Sequence, residues 1–229
     1  MNAKTRTKLE MGTRALNFSR AHPDGSPGYA AALASLEESL TRAEQLADRQ
    51  RQGIVKFRAA IAAKRNLRRR MRRTQLVHLA RVAQGASKEM PDLAQSFVLG
   101  PEAVAYQSFR TAARAMVAEA LNQKALLVKH GLADTVLDSL VQGLDQFDQA
   151  TEQGVDARRA HVGASAELDS TADEVGHIVK VMDALNRFRF AESAELLAEW
   201  ESASNTFGPP RPAAEKAAPV PGGEIRPAA

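Results

Sequence analysis

The chain has 229 residues, no cysteine and few aromatic residues (5%), and its formal net charge is +4. The lack of cysteine excludes disulfides, thiolate catalysis and Cys-ligated metals. No apolar run approaches the roughly 18 residues that a membrane span needs, and the N-terminus lacks the apolar core of a secretory signal. We therefore expect a soluble, cytoplasmic protein, and we interpret its basic N-terminus as an ordinary helix rather than a transit peptide.

Alanine, leucine, glutamate, glutamine and arginine, which are strong helix formers, dominate the sequence, so the composition predicts an all-α protein. The charge is unevenly distributed along it. Residues 1–100 carry 19 Lys and Arg against 8 Asp and Glu, whereas residues 101–229 carry 12 against 19. Such asymmetry suggests nucleic-acid binding, self-association, or docking of one half of the chain on the other.

Two helices are predicted in the first half of the chain. The first covers residues 3–21 and ends at the turn residues of His22-Pro23-Asp24-Gly25, because the residue before a proline resists helical geometry. Leucines at three- and four-residue spacing then predict a long amphipathic helix over residues 29–84. Residues 85–101 read as a loop with one helical turn at 92–98.

The second half repeats this plan of a short helix followed by a long one. The third helix is predicted to begin after Pro101, a favoured first-turn residue, and to run to His130, where Gly131 caps it. The fourth is predicted over residues 132–188, with its seam recurring every seven residues from Leu140 onward, which is typical of coiled coils. A last helix is predicted over 191–202. Residues 205–229, rich in Pro, Ala and Gly, are predicted to be disordered.

Together these elements predict an elongated antiparallel four-helix bundle with coiled-coil-like packing, built from two helical hairpins. Residues 1–204 would form a single domain. Several segments of the two halves also match at a constant offset of 101 residues, for example Gln52-Gly53 with Gln153-Gly154 and Arg58-Ala59 with Arg159-Ala160. These matches make an internal duplication of residues 1–100 and 101–204 one hypothesis.

A dense basic stretch lies inside the second predicted helix, at residues 64–73. Its cations are Lys64, Arg65, Arg68, Arg69, Arg70, Arg72 and Arg73. At 100° per residue they spread over about half of the helix circumference, opposite a narrower strip of Leu67, Met71, Thr74 and His78. Such a face suits a phosphate backbone, because guanidinium groups bind phosphates as bidentate donors. No aromatic residues interleave the arginines, so base stacking is not indicated.

The alternative is that acidic side chains of the same protein, or of a second copy, cover this stretch. Candidates occur on the fourth helix at three-, four- and seven-residue spacing, which places them on one side of it: Asp138, Asp145, Asp148, Glu152 and Asp156. Packing or self-association is favoured over polyanion binding on this reasoning. A membrane-surface role fits less well, since the apolar strip is thin.

Other chemistry has weaker support. A di-iron site in a bundle needs two Glu-x-x-His pairs, and the chain has one, Glu174 with His177. His161 falls on the predicted seam and is expected to form a polar layer. Phe188, in the alternating segment 187–190, is expected to pack at the junction with the last helix. The motifs of phosphate-binding loops and nucleophile elbows are absent.

The sequence thus predicts a non-catalytic scaffold, adaptor or self-assembling protein that acts through helix–helix and charge-complementary contacts. Its expected partners are a second copy or another helical protein. We expect no cofactor and no small-molecule substrate. The alternative is a protein that binds nucleic acid or another polyanion through residues 64–73, and a bundle enzyme with a metal site comes third.

Overall fold

A computed structural model describes residues 1–206, and these residues form helices without any β-strand. The helices are α1 (Ala3–Ala21), α2 (Pro27–Arg70), α3 (Val77–Ala86), α4 (Leu93–Ser96), α5 (Tyr106–Asn122), α6 (Lys124–Lys129), α7 (Asp134–Arg189) and α8 (Ala194–Ser204). The prediction of an all-α helical bundle is confirmed. The predicted disorder of the tail lies outside the described residues, except at Asn205 and Thr206.

The long second helix is present but is not uniform. A π-helical segment, Met71–Leu76, joins α2 to α3 without a break, so the chain stays helical from Pro27 to Ala86. This segment changes which side chains pack inward. Met71 and Leu76 are buried, whereas Thr74 and His78, which the sequence placed on the packing strip, are exposed.

The predicted start of the third helix is wrong. Pro101 and Glu102 lie in a non-helical segment, and α5 begins only at Tyr106. Arg68 donates hydrogen bonds to the carbonyl oxygens of Glu102 and Val104, so these carbonyls are held by a guanidinium group rather than by an α-helical N–H. The predicted cap is confirmed: Gly131 has a φ of 99°, and the Leu132 N–H donates to the Leu127 carbonyl at 2.9 Å.

The chain forms two compact units. The first unit contains Met1–Gln45 and the described residues from Glu167 onward, and the second unit contains Leu46–Ala166. The prediction of one domain over residues 1–204, possibly duplicated, stays a prediction.

Residues of α1, α2, α7 and α8 build the core of the first unit. It comprises Met11, Ala15, Leu16, Phe18, Tyr29, Leu36, Val175, Val179, Met182, Phe190 and Trp200. The indole of Trp200 is fully buried and donates to a carboxylate oxygen of Asp183 at 2.8 Å. Phe190 packs in this core, whereas Phe188 is 88% exposed, so the expectation that Phe188 packs is wrong. Phe190, two residues further along the chain, is the aromatic side chain that packs edge-on against the ring of Phe18.

The core of the second unit lies among the π-helical segment and α3 to α7. Its largest buried residues include Phe97, Phe109, Met116, Leu127, Leu140 and Phe147. Leu121 of α5 lies outside this core and is 52% exposed.

The α2 and α7 helices run antiparallel within the second unit. A Cβ added to Gly53 would lie 2.9 Å from the Cβ of His161, and one added to Gly154 would lie 3.4 Å from the Cβ of Ala60. These two contacts are related by the same offset of 101 residues that the sequence shows, since 53 corresponds to 154 and 60 to 161.

Burial follows the same correspondence in other elements. Both members are buried in pairs separated by 101 residues: Ala15 and Met116, Leu16 and Val117, Leu36 and Leu137, Ala43 and Leu144, Leu46 and Phe147. After the π-helical segment the separation becomes 100, as in Leu79 and Val179, Val82 and Met182, and Ala86 and Asn186. A π-helical turn is the structure that one added residue creates in an α-helix, so this segment accounts for the change. The duplication itself stays a hypothesis.

Candidate functional site

The basic stretch belongs to a longer region without acidic residues. Residues 49–88 contain thirteen Lys and Arg and no Asp or Glu. This region supplies most of α2 within the second unit, together with the π-helical segment and α3. Any neutralisation of its charge must therefore come from other elements.

Two of the predicted binding arginines are engaged with the backbone of the segment that precedes α5. Arg68 donates to the Val104 carbonyl oxygen at 2.8 Å and also to that of Glu102. Arg72 donates to the Gly100 carbonyl oxygen at 2.6 Å. Because these carbonyls occupy the guanidinium donors, Arg68 and Arg72 hold this segment in place.

Aromatic rings complete the surroundings of Arg68. Its Cζ lies 5.4 Å from the ring centre of Phe109 and 5.6 Å from that of Tyr106. The Lys64 ammonium lies over the same Tyr106 ring at 5.4 Å. All three distances are within the range of cation–π attraction, so Lys64 and Arg68 share one structural role.

Two further members of the stretch make only long contacts. Arg70 reaches the side-chain oxygen of Gln146 at 3.4 Å. Arg73 lies 3.7 Å from a carboxylate oxygen of Glu102, and both side chains are about two-thirds exposed. An exposed ion pair of this kind contributes about 0–1 kcal/mol, so it leaves Arg73 nearly free.

Arg65 and Arg69 are exposed and make no hydrogen bond or ion pair within residues 1–206. Arg51 and Arg58 are also exposed and unpaired in the same part of the chain. With α-helical rotation, these four arginines fall within an arc of about 40° and span about 27 Å of helix. We call Arg51, Arg58, Arg65 and Arg69 the basic stripe.

Sequence reasoning missed Arg51 and Arg58 because it considered only the dense stretch. The signal that would have found them is their seven-residue spacing with Arg65, in a region that lacks acidic residues. The density of basic residues alone was misleading, since the dense stretch includes Arg68 and Arg72, which hold residues 100–104 in place.

Within residues 1–206 of one chain, the predicted acidic residues form no ion pair with the basic stretch. Asp148 forms ion pairs with Arg110 and Arg114 of α5. Asp156 pairs with Arg159 on its own helix at 3.2 Å.

The other three predicted acids, Asp138, Asp145 and Glu152, are exposed, and within the described residues none of them forms an ion pair. Asp138 acts only at longer range: the pKa of Lys124 is raised, first by its hydrogen bond with Asp134 and in small part by the charge of Asp138. We call Asp138, Asp145 and Glu152 the acidic stripe.

The predicted polar layer at His161 is found inside the second unit. Its Nδ1 lies 3.3 Å from the Gln50 carbonyl oxygen and must be the donor there, since a carbonyl can only accept. The Gln50 side chain donates to the Ser165 hydroxyl at 2.7 Å. His161 is therefore used in contacts between two helices.

The remaining candidates are less favourable. Among residues 1–206 no three His, Asp or Glu side chains cluster as metal ligands would, and no helix combines the length and apolar content needed to cross a membrane.

A cavity of about 660 Å³ in the first unit is lined by Lys8, Asp173, Asp183 and Arg187 among others. Lys8 pairs with Asp173 and Arg187 with Asp183, so two of its cations are already neutralised.

The basic stripe is thus the largest unpaired charged surface that we identify in the second unit. Neither protein-family models, nor curated proteins, nor solved structures yield a match to this chain.

Proposed function

We propose that this protein binds the phosphate backbone of nucleic acid through the basic stripe of α2. The observation that carries the proposal is that four exposed arginines on one helical face have no partner within the described residues. A protein that satisfied these charges internally would have placed carboxylates against them, and the acids of α7 lie elsewhere or pair with other residues.

The chemistry of the stripe favours backbone contact over base recognition. Each guanidinium presents a planar set of donors that matches a phosphate. The stripe contains no aromatic side chain on which a base could stack. Binding would therefore be largely independent of sequence and would depend on the release of counterions.

On this proposal the protein is a binding protein and not an enzyme. Arg68 and Arg72 contribute indirectly by holding residues 100–104, while the stripe makes the contacts. The scaffold role expected from the sequence remains compatible with it, because a protein that coats a polyanion also presents its other faces to partners.

The test is a salt titration of affinity for a short labelled DNA duplex, measured by fluorescence anisotropy between about 50 and 200 mM salt. The logarithm of the affinity falls with the logarithm of the salt concentration, and each lost phosphate contact makes this slope less steep by about 0.9. The variant with Arg51, Arg58, Arg65 and Arg69 all changed to Gln should therefore lose most of its affinity and about 3 to 4 units of slope.

The matched control removes four other exposed and unpaired cations and keeps the stripe. Its changes are Arg42→Gln, Arg81→Gln, Lys88→Gln and Lys180→Gln, which give the same net charge. The control should keep most of the affinity and slope. If the native protein does not bind at low salt, or if the control loses as much as the stripe variant, the proposal is wrong.

A further inference from the structure

The acidic stripe and the basic stripe have the same spacing. Asp138, Asp145 and Glu152 recur every seven residues on α7, as Arg51, Arg58 and Arg65 do on α2. Seven residues correspond to a rise of about 10.5 Å, so each carboxylate can face one guanidinium when the two helices lie side by side. The two surfaces are therefore complementary in both sign and period.

Within one molecule the two stripes cannot meet. Arg51 and Arg58 each precede by two residues the positions that contact α7, Gly53 and Ala60. Glu152 likewise precedes Gly154 by two residues. Two residues correspond to about 200° of rotation, which separates their side chains by about 160° around the helix. Each stripe therefore points almost directly away from the helix–helix contact.

Exposed valines accompany the charges. Val55 lies between Arg51 and Arg58 and is 60% exposed. On α7, Val141 is 40% exposed and Val155 is 52% exposed, and they lie three residues after Asp138 and Glu152. Exposed ion pairs alone are weak, and burial of these apolar side chains would add a favourable contribution to an interface.

We propose that the acidic stripe of a second copy of this chain docks on the basic stripe. The contact joins two different surfaces, so it leaves one free stripe of each kind on the pair and is open-ended. This inference rests on the proposed function in one respect: nucleic acid and the second copy would compete for the same arginines. Self-association and nucleic-acid binding would then exclude each other at the stripe.

The first experiment is sedimentation velocity on the full chain, freed of nucleic acid, over a range of concentrations at low and high salt. The native protein should associate at low salt and dissociate at high salt, because exposed charges are screened. The variant Asp138→Asn, Asp145→Asn, Glu152→Gln should weaken association by about tenfold or more. Its affinity for the DNA duplex should be unchanged or higher.

A matched control carries the same change of charge at three exposed acids outside the acidic stripe: Glu38→Gln, Glu44→Gln and Glu174→Gln. It should associate as the native protein does. A native protein that stays monomeric at low salt overturns the inference, and so does equal association of the acidic-stripe variant and the control.

A charge-reversal pair tests the partner directly. One variant carries Arg51→Glu, Arg58→Glu and Arg65→Glu, so both of its stripes are acidic. The other carries Asp138→Lys, Asp145→Lys and Glu152→Lys, so both of its stripes are basic. Each should be monomeric alone, and the two should associate when mixed at low salt. A mixture that remains monomeric contradicts the inference, whereas failure of DNA binding with normal association contradicts only the proposed function.

Discussion

The two compact units place opposite charges at equivalent positions. With the offset of 101 residues, Asp169 and Asp173 of the first unit correspond to Arg68 and Arg72 of the second. Asp169 accepts hydrogen bonds from Asn2 and Thr5 at the start of α1, and Asp173 pairs with Lys8. Arg68 and Arg72 instead donate to carbonyls that precede α5. Both pairs hold the beginning of a short helix against a long one.

The difference has a consequence for the helices that are held. An acidic group at a helix N-terminus interacts favourably with the helix dipole, and a cation does not. The side chain of Asn2, the N-cap residue of α1, accepts from the Thr5 N–H, whereas Ala105, the N-cap residue of α5, makes no side-chain cap and follows a non-helical segment. A dense arginine stretch is thus partly a folding device, and only its outward residues are free for a ligand.

The largest expected effect tests whether the two units are independent. Trp200 in the first unit and Phe97 in the second are among the largest fully buried side chains. Either residue changed to Ala should cost about 3–5 kcal/mol through loss of buried volume. Hydrogen exchange followed by mass spectrometry should show Trp200→Ala raising exchange in α1 and α8 and leaving α3 and α5 protected. Equal loss of protection in both units would mean that they unfold together.

A smaller effect is expected from two glycines that the offset makes equivalent. In Gly53→Ala the new Cβ would meet the backbone of His161 at 3.0 Å, so the helices must separate, at a cost of about 1–3 kcal/mol. In Gly154→Ala the nearest atom is the Ala60 Cβ at 3.4 Å, and the better helix propensity of Ala offers up to about 1 kcal/mol. The free energy of unfolding from chemical denaturation should therefore be lower than native for Gly53→Ala and higher than native for Gly154→Ala. At the least, the value for Gly154→Ala should be well above that for Gly53→Ala.

Substitution of Arg68, which corresponds to Asp169 in the other unit, should have a still smaller effect on stability. Arg68→Gln removes two hydrogen bonds from a charged donor that is only partly buried, and should cost about 1–2 kcal/mol. Arg69→Gln, its exposed neighbour, should stay within about 0.5 kcal/mol of the native protein. Limited proteolysis between residues 99 and 105 is the local measurement. Equal cleavage of the two variants would contradict the anchoring role of Arg68.

The smallest effect concerns pH. The hydrogen bond from Lys8 holds the pKa of Asp173 below its ordinary value, so this pair stabilises the folded state above that ordinary value. The contribution is lost as the pH falls through the lowered pKa. Hydrogen exchange in α1 should therefore rise in acid, and Asp173→Asn should already show this rise at neutral pH. If Asp173→Asn leaves the pH dependence of α1 unchanged, this assignment is wrong.

Much of the fold could be read from local patterns. The end of α1, the length of α2 to α3 and the cap at Gly131 follow from proline, leucine spacing and glycine, which act within a few residues. The start of α5 could not be read in this way. It depends on Arg68, which lies more than thirty residues earlier in the chain and binds carbonyls that local rules assign to a helix.

The candidate site was predictable only in part for the same reason. Helical rotation shows that the arginines spread around half of α2, but not that residues 100–106 cover Arg68 and Arg72. Nor does the sequence reveal that Asp148 is occupied by Arg110 and Arg114. These are long-range contacts, and each one changes which charges remain available.

On the duplication hypothesis, the π-helical segment Met71–Leu76 holds one residue more than its counterpart in the second half of the chain. One residue added to a regular helix would rotate everything after it by about 100° and turn buried side chains to the solvent. Here Leu79 and Val82 stay as buried as their counterparts Val179 and Met182, so the segment confines the change to a single turn. The chain thus accommodates a difference in length within a continuous helix, whereas insertions are ordinarily accommodated in loops.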